Sequence, residues 1–425
     1  MSMPLWSVIF ASVATAAIFG LILVIFGRSE KEITQRVAHH YAISDPQFLR
    51  IMGVLLGPTL VTGNRIETLP NGNQIFPAML ETIRAAKKTI TFETYIYWSG
   101  NIGREFVDTL SEKARQGVRI HILLDWVGSQ KMKESSIQKM RDAGVEIERY
   151  HPPTWRNWRK MNNRTHRKIL VVDGKIGFTG GVGIADEWNG DAQGPDNWRD
   201  THYRIEGPVV AQLQAAFMDN WTKVTGDVLH SQEYFPELKE CGAYFAQVFK
   251  SSTEGGADSM HLMYLLSIAA PEKSIHLSMA YFIPDTLAQE AMVAALKRGV
   301  IIQIILPGRY IDKTLVRNAS RGTWGPLLAA GAEIFEFQPT MFHCKVLIID
   351  ELWVSVGSTN FDNRSFKLND ESNLNVYNQQ FAERQLADFK ADLSRARRIT
   401  LQEWENRSWK EKVREYGLKI IQPQL

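Results

Sequence analysis

The chain has 425 residues, enough for two domains or one large duplicated domain, and 44% of its residues are hydrophobic, as in proteins with a sizeable core. Its formal net charge of +3 is too small to indicate nucleic-acid binding by itself. The two cysteines, Cys241 and Cys344, argue against a disulfide framework and a zinc site, and they fit a reducing compartment.

The N-terminal stretch of residues 4–26 carries no charged side chain. A helix of this length crosses a hydrocarbon core of about 30 Å. A cleaved signal peptide is the alternative, but no Lys or Arg precedes the stretch, and it is longer than a signal peptide's apolar region. We therefore predict a single transmembrane anchor, joined to the rest of the chain by a juxtamembrane connection over residues 27–60. Arg28, Lys31 and Arg36 follow the anchor, so the positive-inside rule places the C-terminal bulk in the cytoplasm.

Strands and helices alternate after Gly63. Apolar patterning predicts a strand, a helix and a strand at Lys88–Tyr97, 102–116 and Val118–Asp125. The same order recurs at Ser274–Phe282, 285–298 and Val300–Leu306. Gly117 and Gly299, which follow the two helices, lie about 180 residues apart, and this offset indicates an internal duplication.

The alternation predicts an α/β fold of two pseudo-symmetric halves packed around one active site, with mostly parallel sheets. We place the first half at residues 61–235 and the second at 236–425. Residues 251–256 are predicted to form a loop inside the second half, and residues 401–416 a terminal amphipathic helix.

A reactive pattern also occurs twice, at His166–Asp173 and at His343–Asp350. Each copy reads His-x-Lys, four residues of which at least three are aliphatic, and Asp; each then runs on to a turn of small residues, Gly180-Gly181 or Gly357-Ser358. The apolar residues predict a buried strand. Side chains alternate between the faces of a strand, so each His and its Lys share one side.

Two such pairs meeting between the halves would form one pocket suited to a phosphodiester. The candidate catalytic groups are His166, Lys168, His343 and Lys345. The lysines would stabilise the phosphoryl oxygens, one histidine would attack phosphorus, and the other would act as general acid and base, with no metal required.

The remaining motif residues are predicted to face away from this pocket. Asp173 and Asp350 complete the two motifs and belong to the candidate set, but the parity of the strand puts them on the opposite face, where they would fix loops. Cys344 also faces away from its neighbours and is predicted to be a small core residue.

A carboxylate on the second ring nitrogen would orient each histidine. The candidates lie downstream of each motif: Asp200 in the first half and Glu371 in the second, with Asp370 as an alternative to Glu371. Ordinary surface-loop carboxylates are an equally good interpretation of these residues.

At these residues the chain resembles the phospholipase D superfamily and, within it, bacterial cardiolipin synthases. The stretches that carry the resemblance span most of residues 60–400 and are 63–72, 164–181, 198–210 and 343–374. The resemblance implies two phospholipase D-like halves and a bacterial inner-membrane location. It also implies a phosphohistidine intermediate, no cofactor, and transfer of a phosphatidyl group between two phosphatidylglycerol molecules with release of glycerol.

The resemblance also assigns residues. Asn360 matches an asparagine that helps to bind phosphate, and Ser358 in the same segment joins the supporting residues. The first copy has Gly183 where an asparagine is usual, so one amide donor is missing there. The family tendency makes His166 the nucleophile.

Substrate access is predicted at residues 152–160, where tryptophans and basic residues alternate, and at Arg164 and Arg167. This pattern suits anionic lipid headgroups, nucleic acid, or a solvated loop. The predicted membrane anchor favours a phospholipid substrate, and no nucleic-acid partner is expected. The other functions considered are a phospholipase D-type hydrolase, a membrane-tethered nuclease and a catalytically silent lipid-binding protein.

Overall fold

The computed structural model describes residues 5–26, 33–153, 162–252 and 259–418. The helices are α1 (Leu5–Phe26), α2 (Pro46–Val54), α3 (Asn71–Ala85), α4 (Asn101–Arg115), α5 (Glu134–Asp142), α6 (Val210–Thr225), α7 (Ser259–Ala269), α8 (Thr286–Lys297), α9 (Thr314–Arg321), α10 (Trp324–Ala329), α11 (Asn363–Lys367), α12 (Gln379–Leu393), α13 (Leu401–Glu405) and α14 (Trp409–Leu418).

The strands of the first half are β1 (Val61–Pro70), β2 (Thr89–Thr94), β3 (Arg119–Asp125), β4 (Glu146–Tyr150), β5 (Arg164–Thr165), β6 (Ile169–Val172), β7 (Ile176–Gly180) and β8 (Thr201–Glu206). Those of the second half are β9 (Tyr244–Lys250), β10 (Ser274–Met279), β11 (Ile301–Pro307), β12 (Glu333–Phe337), β13 (Lys345–Ile349), β14 (Trp353–Gly357), β15 (Asn369–Asp370), β16 (Ser372–Tyr377) and β17 (Ala396–Ile399).

Among the described residues, one sheet of 15 strands runs through both halves, in the order β17-β12-β11-β10-β13-β14-β16-β9-β1-β8-β7-β6-β2-β3-β4. The order read outward from β9 matches the order read outward from β1, apart from the extra edge strand β17. The two halves meet where β1 pairs with β9 in antiparallel register, for example at Val61 and Ala246. The duplication predicted from the sequence is therefore present in the fold.

The expectation of mostly parallel sheets is wrong. Parallel pairing within the main sheet is limited to β2-β3-β4 and β10-β11-β12, and the remaining pairs are antiparallel. The reason lies in the motif strands. β6 and β13 return through tight turns into β7 and β14, and a hairpin can join only antiparallel strands.

Helices cover both faces of the sheet. A core cluster in the first half packs α3, α4 and α5 against β2 and β3, and its counterpart in the second half packs α7, α8 and α10 against β10 and β11. A third cluster combines α6 and α12 with strands of both halves, with Phe217 and Phe389 among its buried side chains. This shared core fixes the halves against each other and so fixes the site between them.

The two glycines that marked the repeat have the same backbone role. Gly117 (φ 90°) and Gly299 (φ 95°) follow helices α4 and α8 in a left-handed conformation that side chains other than glycine adopt with strain. Each then leads into the next parallel strand, β3 or β11. Because both halves need a glycine at this turn, Gly117 and Gly299 occur at equivalent positions and mark the repeat in the sequence.

The N-terminal helix α1 runs over Leu5–Phe26 and contains no charged residue. Its side chains are described at residues 6–7 and 10–20. Within the part of the chain so described, no helix is long and apolar enough to cross a bilayer.

At the C-terminus, the single helix expected over 401–416 is divided. α13 ends at Glu405, and α14 begins at Trp409. Ser408 accepts a hydrogen bond from the backbone of Glu411 and so caps the second helix. The predicted access segment at 152–160 and the loop at 251–256 fall mostly outside the described residues.

Candidate active site

The backbone preceding each motif histidine is bound to the other half of the molecule. In the first half, β5 pairs in parallel with β15, and the amide of His166 donates to the carbonyl of Asp370 (2.9 Å). In the second half, the amide of His343 donates to the carbonyl of Arg199 (2.7 Å). Each histidine is thus held next to the residue that precedes the other half's candidate carboxylate.

The carboxylates are consequently exchanged between the halves. Nδ1 of His166 lies 3.0 Å from both oxygens of Glu371, and Nδ1 of His343 lies 2.7 Å from Oδ2 of Asp200. The sequence analysis looked for each partner downstream in the same half. The crossed pairing arises from the interface between the halves, which no local pattern shows.

Asp370, the alternative to Glu371, has a different role. Its carboxylate accepts a hydrogen bond from the Tyr150 hydroxyl (2.6 Å) and lies 3.7 Å from Nζ of Lys223. Its backbone carbonyl, rather than its carboxylate, accepts the hydrogen bond from the amide of His166.

The two lysines lie beside the histidines. Nζ of each donates to the backbone carbonyl of its own motif histidine, at 2.7 Å for Lys168 and 2.6 Å for Lys345. Lys345 also lies 2.9 Å from Nδ1 and 3.1 Å from Nε2 of His343. His166 and Lys168 precede β6 rather than belonging to it, so their common orientation does not come from strand pairing.

Aromatic rings hold the two imidazoles. Tyr95 packs edge-on against His166, with ring centres 5.1 Å apart. Trp188 packs edge-on against His343 at 5.3 Å, and Trp198 lies at 5.6 Å from the same ring. These rings limit the rotation of the imidazoles while leaving Nε2 as the second ring nitrogen available for chemistry.

Burial and charge tune the ionisation of these groups. Burial lowers the pKa values of His166 and His343 to about 4 and that of Lys168 to about 7, and it also lowers the pKa of Lys345. Both histidines are therefore neutral near neutral pH, as a nucleophile must be.

The pKa values of the two carboxylates depend on both burial and their hydrogen-bond partners. Burial alone would raise the pKa values of Asp200 and Glu371, but the hydrogen bond from the adjacent histidine and the charge of the adjacent lysine lower both. An ionised carboxylate accepts a proton from Nδ1, which selects the tautomer with a free lone pair on Nε2.

The motif aspartates lie in the turns that follow β6 and β13. Asp173 accepts hydrogen bonds from the backbone amides of Lys87, Lys88 and Thr89, and Asp350 accepts from the equivalent segment at residues 272–274. Both have positive φ angles, 53° and 51°. These contacts fix loops and give no contact with either histidine, so neither aspartate belongs with the catalytic candidates. Cys344 is buried, and burial raises the pKa of its thiol to about 12.

One cavity of about 470 Å³ opens onto both histidines and Lys168. Several of the residues that line it were not predicted from the sequence, namely Tyr95, Trp188, Trp198, Tyr281, Asp312 and Lys313. Trp198 stands two residues before Asp200, and that proximity was a usable signal. Among the described residues, no group of three or more His, Cys, Asp or Glu is arranged to hold a metal ion.

A family model described as "Cardiolipin synthase, PLD-like domain" matches residues 79–221 and 264–393. The chain belongs to this phospholipase D family.

Two curated relatives agree with this assignment, and one solved structure has a similar fold. The chain is 35% identical to "Cardiolipin synthase A" of Pseudomonas syringae pv. syringae (strain B728a), over 88% of this chain and 77% of that one. It is 34% identical to "Cardiolipin synthase 2" of Bacillus anthracis, over 84% and 70%. In fold it is similar to the phosphatidylserine synthase of Haemophilus influenzae Rd KW20 (TM-score 0.67, 14% identity), over 89% of this chain and 100% of that one.

The supporting residues of this phospholipase D site differ between the halves. Ser358 donates to Oε2 of Glu371 at 2.5 Å. Asn360 is buried, and its side-chain oxygen has no hydrogen-bond partner. At the equivalent position in the first half, a Cβ on Gly183 would lie 2.8 Å from Cβ of Ile96, so the packing leaves no room there for an asparagine.

The two arginines assigned to substrate access are buried, which corrects that prediction. Arg167 donates to the carbonyls of Ala216 and Ser251 and to Asp219. Arg164 donates to the carbonyls of Asn163 and His151. Both arginines are buried and bonded to segments of the scaffold, so neither is exposed to a lipid headgroup at the surface.

Proposed function

We propose that this chain is a cardiolipin synthase that transfers a phosphatidyl group from one phosphatidylglycerol to another and releases glycerol. The observation that carries the proposal is the pair of neutral histidines on one cavity, each bound through Nδ1 to a carboxylate of the opposite half. Such a pair supplies one nucleophile and one general acid-base group, which a double displacement at phosphorus needs.

In the first step, Nε2 of His166 attacks phosphorus. The new P–N bond forms as the P–O bond to glycerol breaks, and His343 gives its proton to the departing alkoxide. Because the pKa of free His343 is about 4, the ring is neutral before substrate binds; it takes up this proton from solvent when the bound anionic phosphodiester favours the charged imidazolium.

In the second step, a hydroxyl of the acceptor glycerol attacks the phosphohistidine. The P–N bond breaks, a P–O bond forms, and the hydroxyl proton passes to His343. Lys168 and Lys345 stabilise the charge on the phosphoryl oxygens in both steps, and the amide of Asn360 adds a neutral donor.

We also propose that residues 4–26 anchor the enzyme in the cell membrane as a single span, with the catalytic halves in the cytoplasm. In support, α1 exposes large apolar side chains, namely Trp6, Phe10, Val13, Ile18 and Phe19. An exposed apolar helix needs an apolar partner, and a bilayer is the one that a lipid enzyme meets. Release of the full chain from membranes by alkaline carbonate would contradict the anchor.

The activity is tested with the purified full chain in mixed micelles of detergent and phosphatidylglycerol. We expect cardiolipin and glycerol in equal amounts. Phosphatidic acid as the only lipid product would identify a hydrolase instead. Unchanged lipid together with cleaved DNA would identify a nuclease.

A further inference from the structure

The cavity wall carries a group of side chains that the proposed chemistry does not use. The Tyr281 hydroxyl donates to Oδ2 of Asp312 at 2.5 Å, and Nζ of Lys313 lies 5.7 Å from the centre of the Tyr281 ring. All three residues line the cavity onto which the two histidines open. Asp312 and Lys313 lie between β11 and α9.

This group has no acidic counterpart in the first half. The amide of Phe361 donates to the carbonyl of Tyr281, just as the amide of Ile184 donates to the carbonyl of Ile96, so Tyr281 and Ile96 are equivalent. The same repeat places Asp312 opposite Gln130 and Lys313 opposite Lys131. At these equivalent positions, the carboxylate and the phenol therefore occur in the second half and not in the first.

A carboxylate in a cavity that binds a phosphodiester is unfavourable unless the carboxylate binds a different part of the substrate. Its charge repels the anionic phosphate and weakens the attraction of the nearby lysines. Alcohol hydroxyls, in contrast, donate readily to a carboxylate, and hydrogen bonds to an ionised acceptor are stronger than neutral ones. Tyr281 occupies Oδ2 and leaves Oδ1 of Asp312 able to accept.

The position of Asp312 also fits an alcohol. Asp312 lines the same cavity as His343, and its charge opposes the lowering of the pKa values of His343 and Lys345 that burial causes. Departing and entering alcohols both lie opposite the attacking nucleophile in an in-line displacement, next to the acid-base group. With His166 as nucleophile, that side is the side of His343.

We propose that Tyr281, Asp312 and Lys313 form the subsite for the glycerol headgroup. Asp312, held by Tyr281, accepts hydrogen bonds from the glycerol hydroxyls, and Lys313 pairs with the acceptor's own phosphodiester. One subsite serves both the leaving glycerol and the incoming acceptor. The inference rests on the proposed synthase activity and names its headgroup determinants.

Occupation of this subsite directs the second step towards transfer. A hydroxyl held beside His343 reacts with the phosphohistidine as described above, whereas an empty subsite admits water, which yields phosphatidic acid. The ratio of cardiolipin to phosphatidic acid therefore measures how well the subsite binds glycerol.

The test uses Asp312→Ala and Tyr281→Phe in the full chain, assayed on phosphatidylglycerol micelles and on bis(4-nitrophenyl) phosphate, a diester without hydroxyls. For Asp312→Ala we expect the KM for phosphatidylglycerol to rise about 10-fold and the cardiolipin to phosphatidic acid ratio to fall about 10-fold. Hydrolysis of the nitrophenyl diester should stay within about 2-fold, because that substrate makes no hydroxyl contact. Tyr281→Phe should act in the same direction and less strongly.

Two controls accompany these variants. Asp108→Asn removes a surface carboxylate, paired with Lys139, that lies outside the cavity. Glu187→Gln removes the other carboxylate among the residues that line it. Only the Asp312 and Tyr281 variants should change the product ratio.

The outcomes separate the two proposals. An unchanged product ratio in Asp312→Ala, or an equal loss of activity on both substrates, overturns the headgroup subsite. If the product ratio changes in Glu187→Gln and not in the Asp312 or Tyr281 variants, the glycerol headgroup binds at Glu187, and the proposed subsite is overturned as well. Absence of cardiolipin from the wild-type reaction overturns the synthase activity instead.

Discussion

The two halves share one skeleton but surround their histidines differently. Among the described residues, one aromatic ring, that of Tyr95, packs against His166, and Ser358 holds its carboxylate partner in place. His343 lies against two tryptophans and the ammonium of Lys345. The two halves thus provide two histidines in different surroundings, and this difference supports the proposal that His166 is the nucleophile and His343 the acid-base group.

The strongest test of this division replaces each histidine by alanine. Both variants should lose at least about 10³-fold in cardiolipin formation, since each removes a group needed in both steps. They should differ with a phosphatidyl ester of 4-nitrophenol, whose leaving group needs no acid. His343→Ala should release one nitrophenol per enzyme and keep the phosphatidyl group bound to His166 as phosphohistidine. His166→Ala should do neither. A phosphatidyl group bound to His343 in His166→Ala would reverse the assignment.

The crossed carboxylates come next in size. Glu371→Gln and Asp200→Asn should each lower kcat by about 10- to 100-fold, because the imidazole loses the group that selects its tautomer. If the pairing crosses between the halves, Glu371→Gln should add little to His166→Ala. Full additivity with His166→Ala, combined with non-additivity with His343→Ala, would contradict the crossed pairing.

The turn beside Asp200 offers a related contrast. A Cβ on Gly181 would lie 2.2 Å from Oδ1 of Asp200, whereas the equivalent Ser358 supports Glu371 with its hydroxyl. Gly181→Ala should displace Asp200 and lower kcat by about 10-fold. Thermal unfolding of the same variant serves as a control, and a lower kcat without loss of folded protein supports displacement of Asp200.

The pH dependence sharpens the comparison between histidines and lysines. Free His166 has a pKa of about 4 and must be neutral to attack, so kcat/KM should fall as the pH drops through about 4. Lys168 has a pKa of about 7 and must be protonated to bind phosphate, so kcat/KM should fall as the pH rises through about 7. Each limb should approach about a tenfold loss per pH unit. A flat profile of kcat/KM between pH 6 and 9 would contradict the role of Lys168.

The smallest effect is expected for Ser358→Ala. The Ser358 hydroxyl donates to Oε2 of Glu371. Without it, the carboxylate keeps its contacts with His166 and with the side-chain amide of Asn369. We expect a loss in kcat of about 3- to 5-fold, consistent with one neutral donor to a charged acceptor. A loss as large as that of Glu371→Gln would mean that Ser358 contacts substrate.

The sequence was informative where chemistry repeats along the chain. The two His-x-Lys motifs, the equivalent glycines after α4 and α8, and the apolar residues of β6 and β13 predicted the duplicated fold and its four central side chains. The predicted parallel pairing was wrong because the tight turns at Asp173 and Asp350 make the strands on either side antiparallel. Partners such as Glu371 for His166 depend on the packing of two distant segments, and single-sequence patterns carry no information about that packing.

The crossed bonds between His166 and Glu371 and between His343 and Asp200 have a consequence for how this enzyme can be divided. If the two halves were produced as separate polypeptides, each would contain a histidine without its orienting carboxylate, and neither could build a working centre alone. Activity would return only when the two fragments associate across β1 and β9. Turnover would then report fragment complementation directly, as a reconstituted split enzyme does.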